Sequence, residues 1–437
     1  MNRQISTILF EASVKLLSKN TTFIHCADLH LDSPFQGLAI KEPALAERFK
    51  DSTNEAFVQI IDLCLAESVD FLTIGGDTFD GVDRSLRAQI LLREQFERLQ
   101  KRGIPVIIVA GNHDPLSEWV MEIGFPPNVH LLSGDKVEAV SVEKSINVIA
   151  TIYGISYQVR DTRENLSLKF QGEGGDGLSI GMLHANVGSR AGHEPYAPCT
   201  INDLRSIGMD MWLLGHIHTP EVVCRDPFML YPGNIQGRHI NEDGPRGCYL
   251  ITVDVNRKIS HEFRPVQNIV WGHEELNLEK TSTLLELVDL LSDRCEEQLS
   301  NITNSERGIV SRWTLTGASP LYHELTIPDK IDEVKEILVE RFFHHSPFLF
   351  PESIRLSVKP VVERADFMNQ ESFISDFLRL AERGSDDAHM KTELLKILNQ
   401  PLSNRVIRKY LTEKNETELL KILDAAVDLG LDLLSGG

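Results

Sequence analysis

Five short apolar runs in this chain each end abruptly in Gly, Asp, Asn or His. Residues 22–27 lead to Asp28 and His30, and residues 69–74 lead to Gly76 and Asp77. Residues 105–110 lead to Asn112, His113 and Asp114, residues 179–183 to His184, and residues 211–214 to His216 and His218. Continuous apolar runs of this length read as strands buried on both faces of a sheet. In α/β sheets, ligands bind beyond the carboxyl ends of the strands. Five strand ends are therefore expected to converge on one place, with Gly75, Gly76, Gly111 and Gly215 letting the backbone turn tightly there.

Each cluster taken singly has an ordinary explanation. Gly-Asn-His-Asp is a common turn. A lone His184 after a strand is more often a hydrogen-bonded surface or core histidine. Gly-His-Ile-His could be a strand end whose two imidazoles share a face, since alternate residues do. The five in this order suit a two-metal phosphoesterase. Two divalent ions roughly 3.5–4 Å apart need a shared carboxylate and further ligands on each side. Asp, Asn and His offer oxygen and imidazole nitrogen, which suits Mn or Fe better than the thiolate-rich setting that selects structural Zn.

A length of 437 residues exceeds one ordinary core, so two or three domains are expected. The six cysteines, at 26, 64, 199, 224, 248 and 295, have no metal-ligand spacing and read as reduced core thiols of a cytoplasmic protein. Cys26 lies near Asp28, but its place within an apolar run favours packing. Residues 1–20 hold no secretory signal pattern, and no run approaches the roughly 18 apolar residues that cross a membrane. A net charge of −20 argues against a general polyanion binder. A chain of this balance that acted on a polyanion must gather positive charge near its site or borrow it from metals. Arg84, Arg87, Arg93, Arg98, Lys101 and Arg102 on the helix after Asp77, and Arg238 after the last ligand pair, are the candidates. A charged helix face is more often simply solvated.

Strands and helices alternate up to about residue 270. Residues 42–68 and 85–102 carry helical spacing, and Thr200 with Asp203 forms a capping box. Residues 222–231, 247–255 and 259–265 read as strands. After residues 267–279 the order becomes strand, helix, strand, helix, strand, with helices at 281–299 and 329–344 and strands at 310–316 and 353–358. From Asp366 onward strand signals vanish. Four amphipathic helices are predicted at 373–383, 388–399, 403–413 and 417–434, the last striped by Leu419, Leu423, Ala426 and Val427.

The ordered set resembles the calcineurin-like metallophosphoesterase superfamily. The stretch 23–35, Phe-Ile-His-Cys-Ala-Asp-Leu-His-Leu-Asp-Ser-Pro-Phe, is more specific and resembles the bacterial DNA-repair exonuclease group of SbcD and YhaO type. Gly76-Asp77-Thr78-Phe79-Asp80, the stretch 193–199 and the stretch 231–239 point the same way. The resemblance covers roughly residues 22–270 with sharp motifs and departs from the group before residue 22, where the first strand usually starts almost at once.

It implies an α/β fold: a two-sheet sandwich flanked by helices, a small α+β capping domain and a C-terminal helical region. The expected segments are an extension at 1–21, the phosphoesterase (nuclease) domain at 22–270, the capping domain at 271–365 and a partner-docking region at 366–437. Asp28, His30 and His218 would hold one ion, Asp77 would bridge, and Asn112, His184 and His216 would hold the other, with Mn expected. His113 cannot easily turn toward the metal of Asn112, so it is the candidate general acid for the leaving group. Asp80 or Asp114 could orient a histidine, and Asp114 could equally cap its turn. Tyr196 and Arg238 lie in the loop motifs as candidate supporting or substrate residues. The implied partners are DNA, an SMC-like coiled-coil ATPase and a second copy of the chain; no membrane is implied. The implied activity is DNA exonuclease or endonuclease. A phosphoesterase for cyclic nucleotides, phosphoproteins or nucleotide-linked metabolites, and a non-catalytic scaffold of the same fold, are the alternatives.

Overall fold

A computed structural model describes residues 20–33, 35, 42–81, 85–118, 123–172, 177–188, 194–302, 306–361, 364–368, 371–398 and 416–435. The extension before residue 20, Pro34, Arg84, His193, the helix predicted at 403–413 and Gly436-Gly437 lie outside the described residues. Two compact units divide the chain. The first comprises residues 1–271 with 303–308, and the second comprises 272–302 with 309–437.

The first unit runs β1 (Thr21–Cys26), α1 (Pro43–Phe49), α2 (Ser52–Ala66), β2 (Phe71–Ile74), α3 (Leu86–Gln100), β3 (Val106–Ile108), β4 (Val129–Leu131), β5 (Glu138–Lys144) and β6 (Asn147–Ile155). It continues with β7 (Leu178–His184), α4 (Ile201–Ile207), β8 (Met211–Gly215), β9 (Glu221–Arg225), β10 (Phe228–Tyr231), β11 (Gly247–Val253) and β12 (Ile259–Pro265). One sheet has the order β12-β11-β1-β2-β3-β4, the other β5-β6-β7-β8-β10-β9. β1, β2 and β3 are mutually parallel, as are β7 and β8.

Alternation along each strand makes three apolar layers. Phe23, Phe71, Ile107, Met182 and Leu213 meet between the two sheets. Ile24, Leu72 and Ile74 turn outward onto Ile60, Leu92 and Phe96 of α2 and α3. Trp212 and Leu214 turn the other way, onto Leu204 of α4. Burying each such large side chain contributes roughly 1.5–3 kcal/mol. His25 is one polar exception within the strands. It is fully buried, its Nδ1 pairing with Thr73 Oγ1 (3.0 Å) and its Nε2 donating to Leu214 O (3.0 Å), so it ties β1 and β2 to β8 of the other sheet.

Some expected elements are divided. The single helix expected at 42–68 breaks after Phe49, where the Ser52 hydroxyl donates to Phe49 O (2.7 Å) and a new helix starts. The strand expected at 222–231 is a hairpin, because Pro227 has no N–H to donate and the chain turns there. Residues 129–155 hold three strands that the apolar pattern does not announce. β5 alternates partly and fully exposed side chains, with only Val142 buried. The capping box of Thr200 and Asp203 is present and opens α4.

The second unit contains most of β13 (Ile269–Asn277), α5 (Leu284–Ser300), β14 (Gly308–Ala318), α6 (Tyr322–Thr326), α7 (Lys330–Phe342) and β15 (Phe348–Lys359). Its sheet has the order β13-β14-β15 and packs Trp313 and Leu349 against Leu287, Leu291 and Leu338. α8 (Arg364–Met368), α9 (Phe373–Asp386), α10 (Ala388–Leu398) and α11 (Glu416–Ser435) complete it. Arg364 pairs with Asp424 (2.9 Å) and Asp428 (2.6 Å) of α11, while Leu378, Leu419 and Leu431 are buried. Among the described residues, no helix is long and apolar enough to cross a membrane.

Candidate metal centre

The carboxyl ends of β1, β2, β3, β7 and β8 deliver all seven expected ligands to one place. Backbone bonds link the ends: Asp28 N donates to Gly76 O (3.0 Å), His30 N to Asp77 O (3.0 Å), and His113 N to the Asp77 carboxylate (2.8 Å). Asp28, His30 and Asp77 have φ of 51°, 44° and 50°, and His216 has φ of 97°. Side chains rarely adopt such values, and they cluster where a site dictates the backbone. Of the four glycines, Gly76 alone has a positive φ, at +106°. Gly111 is needed for space instead, since a Cβ there would lie 2.2 Å from Asp77 Oδ1.

The hydrogen bonds decide which atoms face inward. A backbone carbonyl can only accept. His184 Nδ1 therefore donates to Gly75 O (2.9 Å), and its Nε2 lone pair faces Asn112 Oδ1 (3.0 Å) and Asp77 Oδ2 (3.4 Å). His216 Nε2 donates to Glu194 O (3.1 Å), leaving Nδ1 facing Asn112 Oδ1 (3.2 Å). His218 Nδ1 donates to Glu242 Oε1 (2.6 Å), and its Nε2 lies 3.2 Å from His30 Nε2 and 3.9 Å from Asp28 Oδ1. His30 Nδ1 lies 3.3 Å from Asp80 Oδ1, which favours the proton on that side. With the imidazoles neutral, the ring nitrogens and oxygens that face the centre present lone pairs to one another; in the metal-free chain His184 relieves part of this by holding a second proton. Carboxylates, an amide oxygen and imidazoles converging in this way are what divalent cations require, so the residues fit a metal centre. Among the described residues three groups of side chains stand close enough to hold an ion: Asp28, His30 and His218; Asp28, Asp77 and His184; and, toward the rim, His30, Asp80 and His113.

Electrostatics agree. Burial alone would lower the His184 pKa, but Asp77 and Asp28 outweigh it and hold the imidazole up at about 9. Burial raises Asp28 to about 6 and lowers His30 and His216 to about 3. Asp77 stays well below the carboxylate range, because His184, His113 and His30 overcome its burial.

The outer residues sort by contact. Asp80 Oδ1 lies between His30 Nδ1 and His113 Nδ1 (3.2 Å), while Ser33 (2.8 Å) and Arg238 (2.7 Å) donate to Oδ2. Asp114 takes the other course open to it. Its oxygens accept from the Gly111 and Thr78 amides, both at 2.7 Å, so it braces the turn. His113 is 33% exposed beside the buried ligands. The Tyr196 ring meets His216 edge-on at 5.8 Å. Cys26 donates to Thr73 O (3.7 Å) and stays in the core. The basic residues of α3 do not gather here: Arg87, Arg93 and Arg98 pair with Asp51, Glu97 and Asp62. Glu242 and the Glu194 carbonyl go unnoticed in the sequence, where Glu242 sits in a polar Asn-Glu-Asp-Gly-Pro stretch indistinguishable from an ordinary turn.

A family model described as Calcineurin-like phosphoesterase matches residues 21–220. The metallophosphoesterase YhaO of Bacillus subtilis is 35% identical over 408 residues, covering 93% of this chain and 96% of that protein. The DNA double-strand break repair protein Mre11 of Sulfurisphaera tokodaii is 28% identical over 209 residues, 47% of this chain and 51% of its own. The SbcD component of the nuclease SbcCD of Bacillus subtilis is 21% identical over 238 residues, 46% of this chain and 58% of its own. With a relative matched along nearly its whole length, and a lone-pair cluster at the ends of five strands, this chain belongs to the calcineurin-like metallophosphoesterases.

Proposed function

We propose that this phosphoester hydrolase is a two-metal, Mn-dependent nuclease acting on DNA. The observation that carries the reading is the convergence of carboxylates and imidazole nitrogens within reach of one another, with a partly exposed His113 at its edge. In this reading Asp28, His30 and His218 hold one ion, Asn112, His184 and His216 hold the other, and Asp77 is shared. Bound ions would neutralise phosphoryl charge and make a water more acidic. The chain's own part is positional. Asp80, kept ionised by its histidine neighbours and Arg238 in spite of partial burial, holds His113 Nδ1 and leaves the other ring nitrogen to protonate the leaving oxygen. The donor set lacks thiolate, which favours Mn over structural Zn.

The DNA assignment draws on the Mre11 and SbcCD relatives. By the same analogy, residues 271–365 would act as a capping domain and 366–437 would dock an SMC-like coiled-coil ATPase. The six free cysteines suit a cytoplasmic protein. Digestion of labelled linear DNA by metal-stripped protein, with and without Mn, tests the proposal. Degradation only with metal supports it; degradation after exhaustive chelation refutes it. A second reading, hydrolysis of a small nucleotide-linked phosphodiester, is favoured by the net charge of −20 and by the paired arginines of α3. Metal-dependent turnover of a small diester with no action on DNA would select it. Co-purification from the native organism, full length against a form ending at Arg364, tests the partner. Equal recovery of a large ATPase by both forms would assign the tail to packing within the chain.

A further inference from the structure

The loop after β10 carries Asn234, Arg238, Glu242 and Arg246 at four-residue intervals, and all four turn back onto the site. Glu242 is buried and uses both oxygens. Oε1 accepts from His218 Nδ1 at 2.6 Å. Oε2 accepts from the Arg238 backbone amide (2.7 Å) and from Asn234 Nδ2 (2.8 Å). Arg238, so anchored by its backbone, extends Nη2 to Asp80 Oδ2. The other Asp80 oxygen lies beside His30 and His113. A continuous path therefore runs from His218 through Glu242, Arg238 and Asp80 to His30 and His113. The His218 carbonyl is held separately, by the Asn234 amide (3.2 Å) and by the Arg246 guanidinium. His218 is thus gripped at its ring and at its backbone by one short loop.

We infer that Glu242 is a positioning residue: it aims His218 at the ion shared with His30 and, through Arg238, sets the Asp80 carboxylate against His113. This rests on the two-metal reading above. Arg238 accordingly serves as a strut within the site, its Nη2 donating to Asp80. Glutamine at 242 could still accept from His218, but its amide nitrogen cannot accept from the Arg238 and Asn234 donors. Aspartate would keep the charge but is one methylene too short to reach both sides.

Metal-stripped wild type, Glu242→Gln and Glu242→Asp should be titrated with Mn by calorimetry, and their Co-loaded absorption spectra compared. In both variants one ion should bind about 10–100-fold more weakly, the usual effect of losing an outer partner of a ligand histidine. The other ion's affinity should be unchanged, and only part of the Co spectrum should change. If Glu242→Gln fails to fold, as judged by near-ultraviolet circular dichroism, Glu242→Asp carries the comparison. Wild-type affinity for both ions in Glu242→Gln overturns the inference. So does full recovery in Glu242→Asp, which would show that charge alone matters. Failure of the wild type to bind two ions would instead overturn the reading of the site itself.

Discussion

Metal binding to this protein should expel a proton, and His184 should be its main source. Burial depresses the imidazole, but the charge and hydrogen bond of Asp77, with the charge of Asp28, raise it to about 9. At pH 7.5 a group of that pKa is roughly 97% protonated, so its capture by a metal releases close to one proton. Asp28, raised to about 6 by its burial, is already largely ionised at that pH and adds little. Metal affinity should then fall roughly tenfold for each pH unit below 9. The sign for stability is opposite. A folded pKa above the unfolded 6.5 stabilises the metal-free fold fully below pH 6.5, and the benefit disappears as pH rises through 9. The gap corresponds to about 3 kcal/mol. Calorimetric Mn titration at pH 7.5 in two buffers of different ionisation enthalpy measures the release directly. A net release near zero, or metal affinity independent of pH between 6.5 and 8.5, would refute the reasoning. His184→Gln should abolish most of the release.

Three further outcomes are expected. Asp77→Ala should lose both ions if its carboxylate is shared between them as proposed, whereas His113→Ala should keep them and lose turnover by roughly 10²–10⁴; metal content beside rate separates the two. Gly111→Ala should lower the melting temperature and weaken metal binding, since the added methyl must displace Asp77 Oδ1 from 2.2 Å and overpacking costs typically 1–3 kcal/mol. Hydrolysis should also fall steeply below about pH 6, where Asp28 takes up a proton in addition to the one on His184 and both compete with metal; a flat pH–rate profile from 5 to 8 would contradict this.

The strands that carry the site are legible because a strand buried on both faces stays mainly apolar until it ends, the exceptions being polar groups paired inside the core such as His25 and Thr73. The ends of residues 22–27 and 211–214 are therefore visible as sudden Asp and His. The edge strand β5 is not legible, since only Val142 along it is buried and nothing in its composition demands a sheet. The candidate ligand residues stand out because their types and order are unusual together. The partners of those residues do not. Gly75 O and Glu194 O are main-chain atoms with no residue signature, and Glu242 is an acid in a turn. The choice between Asp80 and Asp114 for orienting histidines depends on side-chain direction alone. Two carboxylates close to one metal motif differ only in which way the chain turns after each.

The left-handed backbone at Asp28, His30 and Asp77, and the still more unusual φ of 97° at His216, would tie this protein's lifetime to its supply of metal. Such conformations cost of order 1–3 kcal/mol each where they are strained, and the opposed lone pairs add repulsion. Ion binding offsets these costs by an amount set by free metal, about 2.7 kcal/mol at a hundred times the dissociation constant. A cell short of the ion would then hold a looser chain, more often open to proteases, and the amount of the protein would follow the metal before any control of its synthesis acted.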